Sequence, residues 1–173
     1  MFKFKLLVMK KLLLLLLFIP LVSFGQVKNG EIKTYYESGK LQSTSNYIDD
    51  IKQGEYKIFY ESGEFQYTAN YIEGLQQGAS KAYYESGELK ATVNYIDGLA
   101  QGEYKGYFES GKLKTTVNYI NGLLQGEYKA YYESGELRTT VNYVDDLRQG
   151  KFKVYFSSGE LQYITNYVDG VEQ

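Results

Sequence analysis

The phrase "YYESGEL" that begins at Tyr83 returns at Tyr131, and close variants begin at Tyr35, Phe59, Tyr107 and Tyr155. Its glycines, Gly39, Gly63, Gly87, Gly111, Gly135 and Gly159, keep a fixed period of 24 residues. A period of that size marks stacked supersecondary units, each touching only its neighbours, and argues against a domain folded round one pocket.

One unit, Gly102 to Gln125, reads "GEYKGYFESGKLKTTVNYINGLLQ". Tyr104 to Phe108 and Leu113 to Tyr119 are short aromatic and β-branched runs bounded by "ESGK" and "INGLLQG", which are strand and hairpin signals. Apolar residues recur at every second position, and glycines interrupt any stretch long enough for a helix. The "SG" and "DG" or "NG" pairs place glycine where tight hairpin turns require positive φ. The glycine after glutamine, as at Gly102, implies a bulge or a close backbone approach. The expected fold is all-β: a single-layer, elongated antiparallel meander of six 24-residue hairpin repeats over residues 30–173.

Alternation sorts the faces. Tyr104, Gly106 and Phe108, with Leu113, Thr115, Val117 and Tyr119, are expected on an apolar face whose small central column lets the sheet curl. Lys105, Tyr107, Lys114, Thr116 and Asn118 are expected on a wet face. Tyrosine suits such a thin layer, because its ring packs while its hydroxyl stays hydrated. The chain has 20 Tyr and no Trp, and all the Tyr lie beyond residue 34.

The first 25 residues are different material. Lys3, Lys5, Lys10 and Lys11 precede an apolar run from Leu12 to Ile19, then Pro20 and the small residues Ser23 and Gly25. This is the pattern of a secretory signal cleaved before Gln26, so the expected location is secreted, periplasmic or at the cell envelope. The segment holds four of the 19 basic residues and none of the 21 acidic ones, which leaves 15 against 21, a net of −6, beyond it. That balance disfavours a nucleic-acid partner.

The absence of Cys and His removes thiolate metal sites, disulfides and the commonest general base. Glu85 with Glu88 and Glu61 with Glu64 flank turns, but the pair recurs at Glu133 and Glu136, which reads as solvated turn chemistry. Asp97 or Asp169 alone makes no calcium cage. No catalytic residue, metal ligand or cofactor is expected, and the chain reads as non-enzymatic.

The recurring "YYESGEL", the "NY" column (Asn46-Tyr47 through Asn166-Tyr167) and the "DG" pairs together resemble the variant membrane occupation and recognition nexus (MORN) repeat. They resemble in particular the toxin-antitoxin system antitoxins of the YwqK family. The resemblance covers residues 30–173 and implies an antiparallel meander used as an interaction scaffold. It brings in an antitoxin-like or immunity-like inhibitor of a protein toxin as an alternative, and a membrane-lipid-binding module as a remoter one.

The expected function is an exported scaffold for a protein partner or an extended glycan or peptide. Its candidate contacts are Lys105, Tyr107, Asn118, Lys129, Tyr131 and Asn142 on the wet face. The last strand, "LQYITNY", is the candidate pairing edge through Leu161, Tyr163, Ile164 and Tyr167. Either that edge or the apolar face is a candidate homodimer surface.

Overall fold

Two kinds of tight turn alternate along the chain and set the strand lengths. In the "ESG" turn, Gly39 N–H donates to the Tyr36 carbonyl at 2.9 Å, and Tyr36 N–H donates to the Lys40 carbonyl at 2.9 Å. This is a type I turn closed by a left-handed residue. In the "DG" turn, Asp97 (φ 50°) and Gly98 (φ 79°) are both left-handed, the type I′ pair whose twist matches that of the flanking strands.

Two units carry aspartate where this turn otherwise has its second-position glycine. Asp50 and Asp146 adopt φ of 64° and 67° there. Their carboxylates compensate by accepting the backbone N–H of Lys28 (2.8 Å) and Leu124 (2.7 Å), each 22 residues earlier in the chain. Glu73 takes the first position at φ 50° without the short polar side chain that tolerates this region. Replacing it, Glu73→Asn, is expected to stabilise the array by about 0.5 kcal/mol, read as a higher midpoint of urea unfolding. A midpoint that stays put or falls would place no strain at this turn.

A computed structural model describes residues 28–173. The segment expected to be a secretory signal, with its expected cleavage before Gln26, therefore lies outside the described residues. The strands are β1 (Gly30–Tyr35), β2 (Leu41–Ile48), β3 (Ile51–Phe59), β4 (Phe65–Ile72), β5 (Leu75–Tyr83), β6 (Leu89–Ile96) and β7 (Leu99–Tyr107). They continue as β8 (Leu113–Ile120), β9 (Leu123–Tyr131), β10 (Leu137–Val144), β11 (Leu147–Tyr155), β12 (Leu161–Val168) and β13 (Val171–Glu172). They form one open sheet of 13 strands in sequence order, the antiparallel meander that the period implies.

Three details depart from simple alternation. Strand β7 starts directly after its turn, at Leu99, because a two-residue turn needs no further loop; "GLLQG" stretches thus belong mostly to strands. Between Thr92↔Lys105 and Asn94↔Gln101 the β7 side carries two extra residues, and this bulge contains Gly102 at φ 83°. Between Gly106↔Thr115 and Tyr107↔Leu113 the β8 side carries one extra residue, Lys114. Leu113 is therefore moved off the apolar face expected for it and set opposite Tyr107 on the lysine side. Lys114 instead lies 5.4 Å over the Phe108 ring.

The buried seam is made of small residues. Ala69, Val117, Ala130 and Val141 are buried with Ser45 and Ser80, and among the described residues no large side chain is fully enclosed. Tyrosines roof this seam in edge-on pairs, such as Tyr56–Tyr71 (6.0 Å, 80°) and Tyr104–Tyr119 (6.4 Å, 75°). Edge-to-face rings at this spacing are a favoured packing, and they supply the layer that a second sheet would otherwise provide.

Both long margins of the sheet are also stitched from unit to unit. On one margin the hydroxyls of Tyr36, Tyr60, Tyr84 and Tyr132 donate to the backbone carbonyls of Phe59, Tyr83, Tyr107 and Tyr155 in the following unit, at 2.6, 2.8, 2.8 and 2.8 Å. On the other, side-chain oxygens of Asn29, Gln53, Gln101 and Gln149 accept the first N–H of the next type I′ turn, at 2.9, 3.1, 2.8 and 2.8 Å. Gln77 and Gln125 reach the same turns through the carboxylates of Asp97 and Asp145. The second aromatic of the phrase and the glutamine before glycine are therefore unit-to-unit staples.

Candidate functional site

Because residues opposite each other in an antiparallel pair share a face, the strand register builds the lysine face as parallel ladders. Lys33, Thr44, Lys57, Thr68, Lys81, Thr92, Lys105, Thr116, Lys129, Thr140 and Lys153 follow one another across the sheet. Ile164 then closes the row, opposite Lys153. Beside it, Glu103↔Asn118 and Glu127↔Asn142 belong to a second ladder. On the other side Tyr107↔Leu113 and Tyr131↔Leu137 belong to a third. In the second unit this third ladder is aromatic throughout, with the Phe59 and Phe65 rings 5.2 Å apart.

The six wet-face candidates fall together on two adjacent units. Lys105, Tyr107 and Asn118 occupy neighbouring rungs of the three ladders, and Lys129, Tyr131 and Asn142 repeat them one unit on. The lysines arrive already partnered. Lys105 Nζ lies 2.9 Å from Glu103 and Lys129 Nζ 2.8 Å from Glu127, with matching pairs at Lys33–Glu31 and Lys57–Glu55. The hydrogen bond to Glu103, and then its charge, raises the Lys105 pKa, so the ammonium persists throughout the neutral range. Exposed pairs of this kind hold little net free energy, and a ligand group can replace the glutamate at small cost. Lys81 and Lys153 have Ala79 and Lys151 two residues before them instead of glutamate, which leaves them the least neutralised cations of the ladder.

The edge candidates divide. Leu161, Tyr163 and Ile164 on β12 are about half exposed, at 51%, 49% and 45%, and pair with no later strand. Tyr167 does not belong with them: it pairs with Glu172 of β13. Its hydroxyl lies 3.3 Å from the Glu172 carboxylate and 3.3 Å from Arg148 Nη1. Six hairpins alone account for twelve strands, and the turn at Asp169-Gly170 folds Val171–Glu172 back as a short thirteenth. Among the described residues no three Asp or Glu converge as a metal cage requires.

The opposite face holds a feature that alternation alone did not bring out. Lys28 Nζ sits 5.3 Å from the Tyr47 ring centre. Lys52 Nζ sits 3.8 Å from Tyr56 and 4.6 Å from Tyr71. The Arg148 guanidinium lies 5.4 Å from Phe152 and 5.3 Å from Tyr167. Each cation precedes its tyrosine of the "NY" column by 19 residues, a spacing visible in the sequence to a reader who aligns the units on that column.

No curated protein matches the chain. Among solved structures, 36 chains match. One belongs to the GtfA/B complex bound to UDP and GlcNAc, at 14% identity over 66% of this chain and 22% of that chain, with a TM-score of 0.27; so slight a likeness carries neither fold nor function. The family described as MORN repeat variant matches six times, over residues 28–49, 52–73, 76–97, 100–121, 124–145 and 148–169. Those segments coincide with the six hairpin units seen in the sheet, and the chain belongs to the MORN repeat variant family.

Proposed function

We propose that the array is an exported, non-catalytic scaffold whose lysine face seats an extended polymer or a protein surface at the cell envelope or outside it. The observation that carries this reading is the Lys–Thr ladder running from β1 to β11, flanked by the Glu–Asn and aromatic–leucine ladders. A ligand that is itself extended meets the same donors, acceptors and rings at each unit, about 9.6 Å apart. Affinity then builds from weak, repeated contacts, in the manner of linked binding modules.

The test is capture from cell-envelope extract by residues 26–173, beside a variant with Lys105, Tyr107, Lys129 and Tyr131 all changed to Ser. Circular dichroism confirms that both are folded. A glycan or protein retained by the parent and lost from the variant supports the proposal. Equal retention by both overturns it and moves binding to another surface.

The exposed edge residues Leu161, Tyr163 and Ile164 favour a second reading, the antitoxin-like or immunity-like inhibitor brought in by the YwqK resemblance. An inhibitor laying this edge against a protein toxin should fail abruptly on a single change such as Ile164→Lys, because interface energy concentrates in hot spots. A polymer scaffold should lose affinity by degrees.

A further inference from the structure

The column that carries Lys28, Lys52 and Arg148 holds Gln76, Ala100 and Leu124 in the other units. Gln76 is occupied, donating from Nε2 to the Tyr67 hydroxyl at 2.9 Å. Leu124, opposite Tyr119 in the register, fills its own place with an isobutyl group. Ala100 fills almost nothing. Around it Tyr95, Tyr104 and Tyr119, together with Val93, Leu99 and Ala100, line an open hollow of about 400 Å³. The hollow runs on toward Ser80, which stands where the neighbouring units have Tyr56 and Tyr104.

The aromatic frame at this empty place matches the occupied ones. Tyr104 and Tyr119 meet at 6.4 Å and 75°, against 6.0 Å and 80° for Tyr56 and Tyr71 around Lys52, and 6.1 Å and 77° for Phe152 and Tyr167 around Arg148. Ala100 precedes Tyr104 by four residues and Tyr119 by 19, as Lys52 does its own pair. Ring faces attract cations within about 6 Å of their centres. The surrounding charge favours one too, since the array beyond residue 25 carries a net of −6. Burial first, and then Tyr104, Tyr95 and Asp146, raise the Tyr119 phenol above its ordinary pKa, so the rings remain neutral around a guest.

From this internal mimicry we infer that the hollow at Ala100 is a binding site for a cationic side chain, arginine or lysine, of a partner polypeptide. Tyr128 and Tyr143 form the same frame, at 6.2 Å and 72°, around Leu124, so the rings alone admit an aliphatic group. Lys52 and Arg148 show that both cations fit it as side chains on a short tether, and the net negative charge of the array selects a cation for the open place. The site lies on the tyrosine face and is independent of the lysine-face proposal, so either can fail alone.

The experiment is a titration of the intact array, followed by NMR of its tyrosine rings, with Nα-acetyl-arginine methylamide and Nα-acetyl-lysine methylamide. Nα-acetyl-norleucine methylamide serves as the uncharged probe. Saturating shifts are expected at Tyr95, Tyr104 and Tyr119 with the two cations only. Ala100→Lys supplies the array's own ammonium and is expected to weaken probe binding roughly tenfold or more. Lys52→Ala empties a second frame and is expected to add shifts at Tyr56 and Tyr71. Equal response to norleucine, unchanged binding by Ala100→Lys, or no new shifts in Lys52→Ala overturns the inference.

Discussion

Val117→Asp is expected to open the middle of the array while its ends stay closed. Val117 is 5% exposed and lies opposite Tyr104 in the register, within the seam roofed by tyrosine rings. A carboxylate placed there has no partner, and either protonates or pulls the roof apart. The local loss should be on the order of 3 kcal/mol. In a compact domain such a lesion lowers the protection of every core amide together. Here the sheet is one layer in strict sequence order, so coupling between units passes only through neighbouring strands. Amide exchange in β7, β8 and β9 should accelerate by roughly a hundredfold, whereas exchange in β1 to β4 should change by less than about threefold. Uniform acceleration along the whole chain would show that the units unfold as one body.

The same one-dimensional character explains why so much of this fold was legible. A 24-residue period fixes the unit, and "SG" and "DG" fix its turns. With both turns fixed, alternation places Tyr104 with Val117 and Lys105 with Thr116, as the register confirms. Legibility stops where a residue is inserted on one strand only. Lys114 looks like an ordinary wet-face residue, but as the extra residue of a bulge it carries Leu113 across the sheet. Composition leaves no mark of that event, since a lysine is at home on either side of so thin a layer.

The candidate site was legible in part for the same reason. Its six residues do share a face, but the glutamates that partner Lys105 and Lys129 become apparent only when Glu103 and Glu127 are seen two residues away on the same side of a strand. The cation column was hidden differently. Lys, Lys, Gln, Ala, Leu and Arg share no chemistry, so the column reads as variable spacer until the rings around it are in place.

Changing Tyr36, Tyr60, Tyr84 and Tyr132 all to Phe is expected to remove about 4 kcal/mol of stability without altering the strand pattern. Each hydroxyl makes one part-buried bond to a backbone carbonyl of the next unit, and such a bond contributes about 1 kcal/mol net. The four bonds share no partner, so their losses should add. The total is a large fraction of the stability usual for a small domain. The chain contains its own reverse experiment, because Phe108 stands in the same column and lacks the hydroxyl. By the 23-residue spacing of the other staples its acceptor would be the Tyr131 carbonyl, and Phe108→Tyr should add about 1 kcal/mol. Urea unfolding followed by circular dichroism measures both variants, with the slope unchanged if the surface exposed on unfolding is unchanged. A quadruple variant that loses less than about 1 kcal/mol would mean that these hydroxyls find water as good a partner as the carbonyl. Unit-to-unit cohesion would then rest on the strand ladders, the glutamine staples and the ring packing alone.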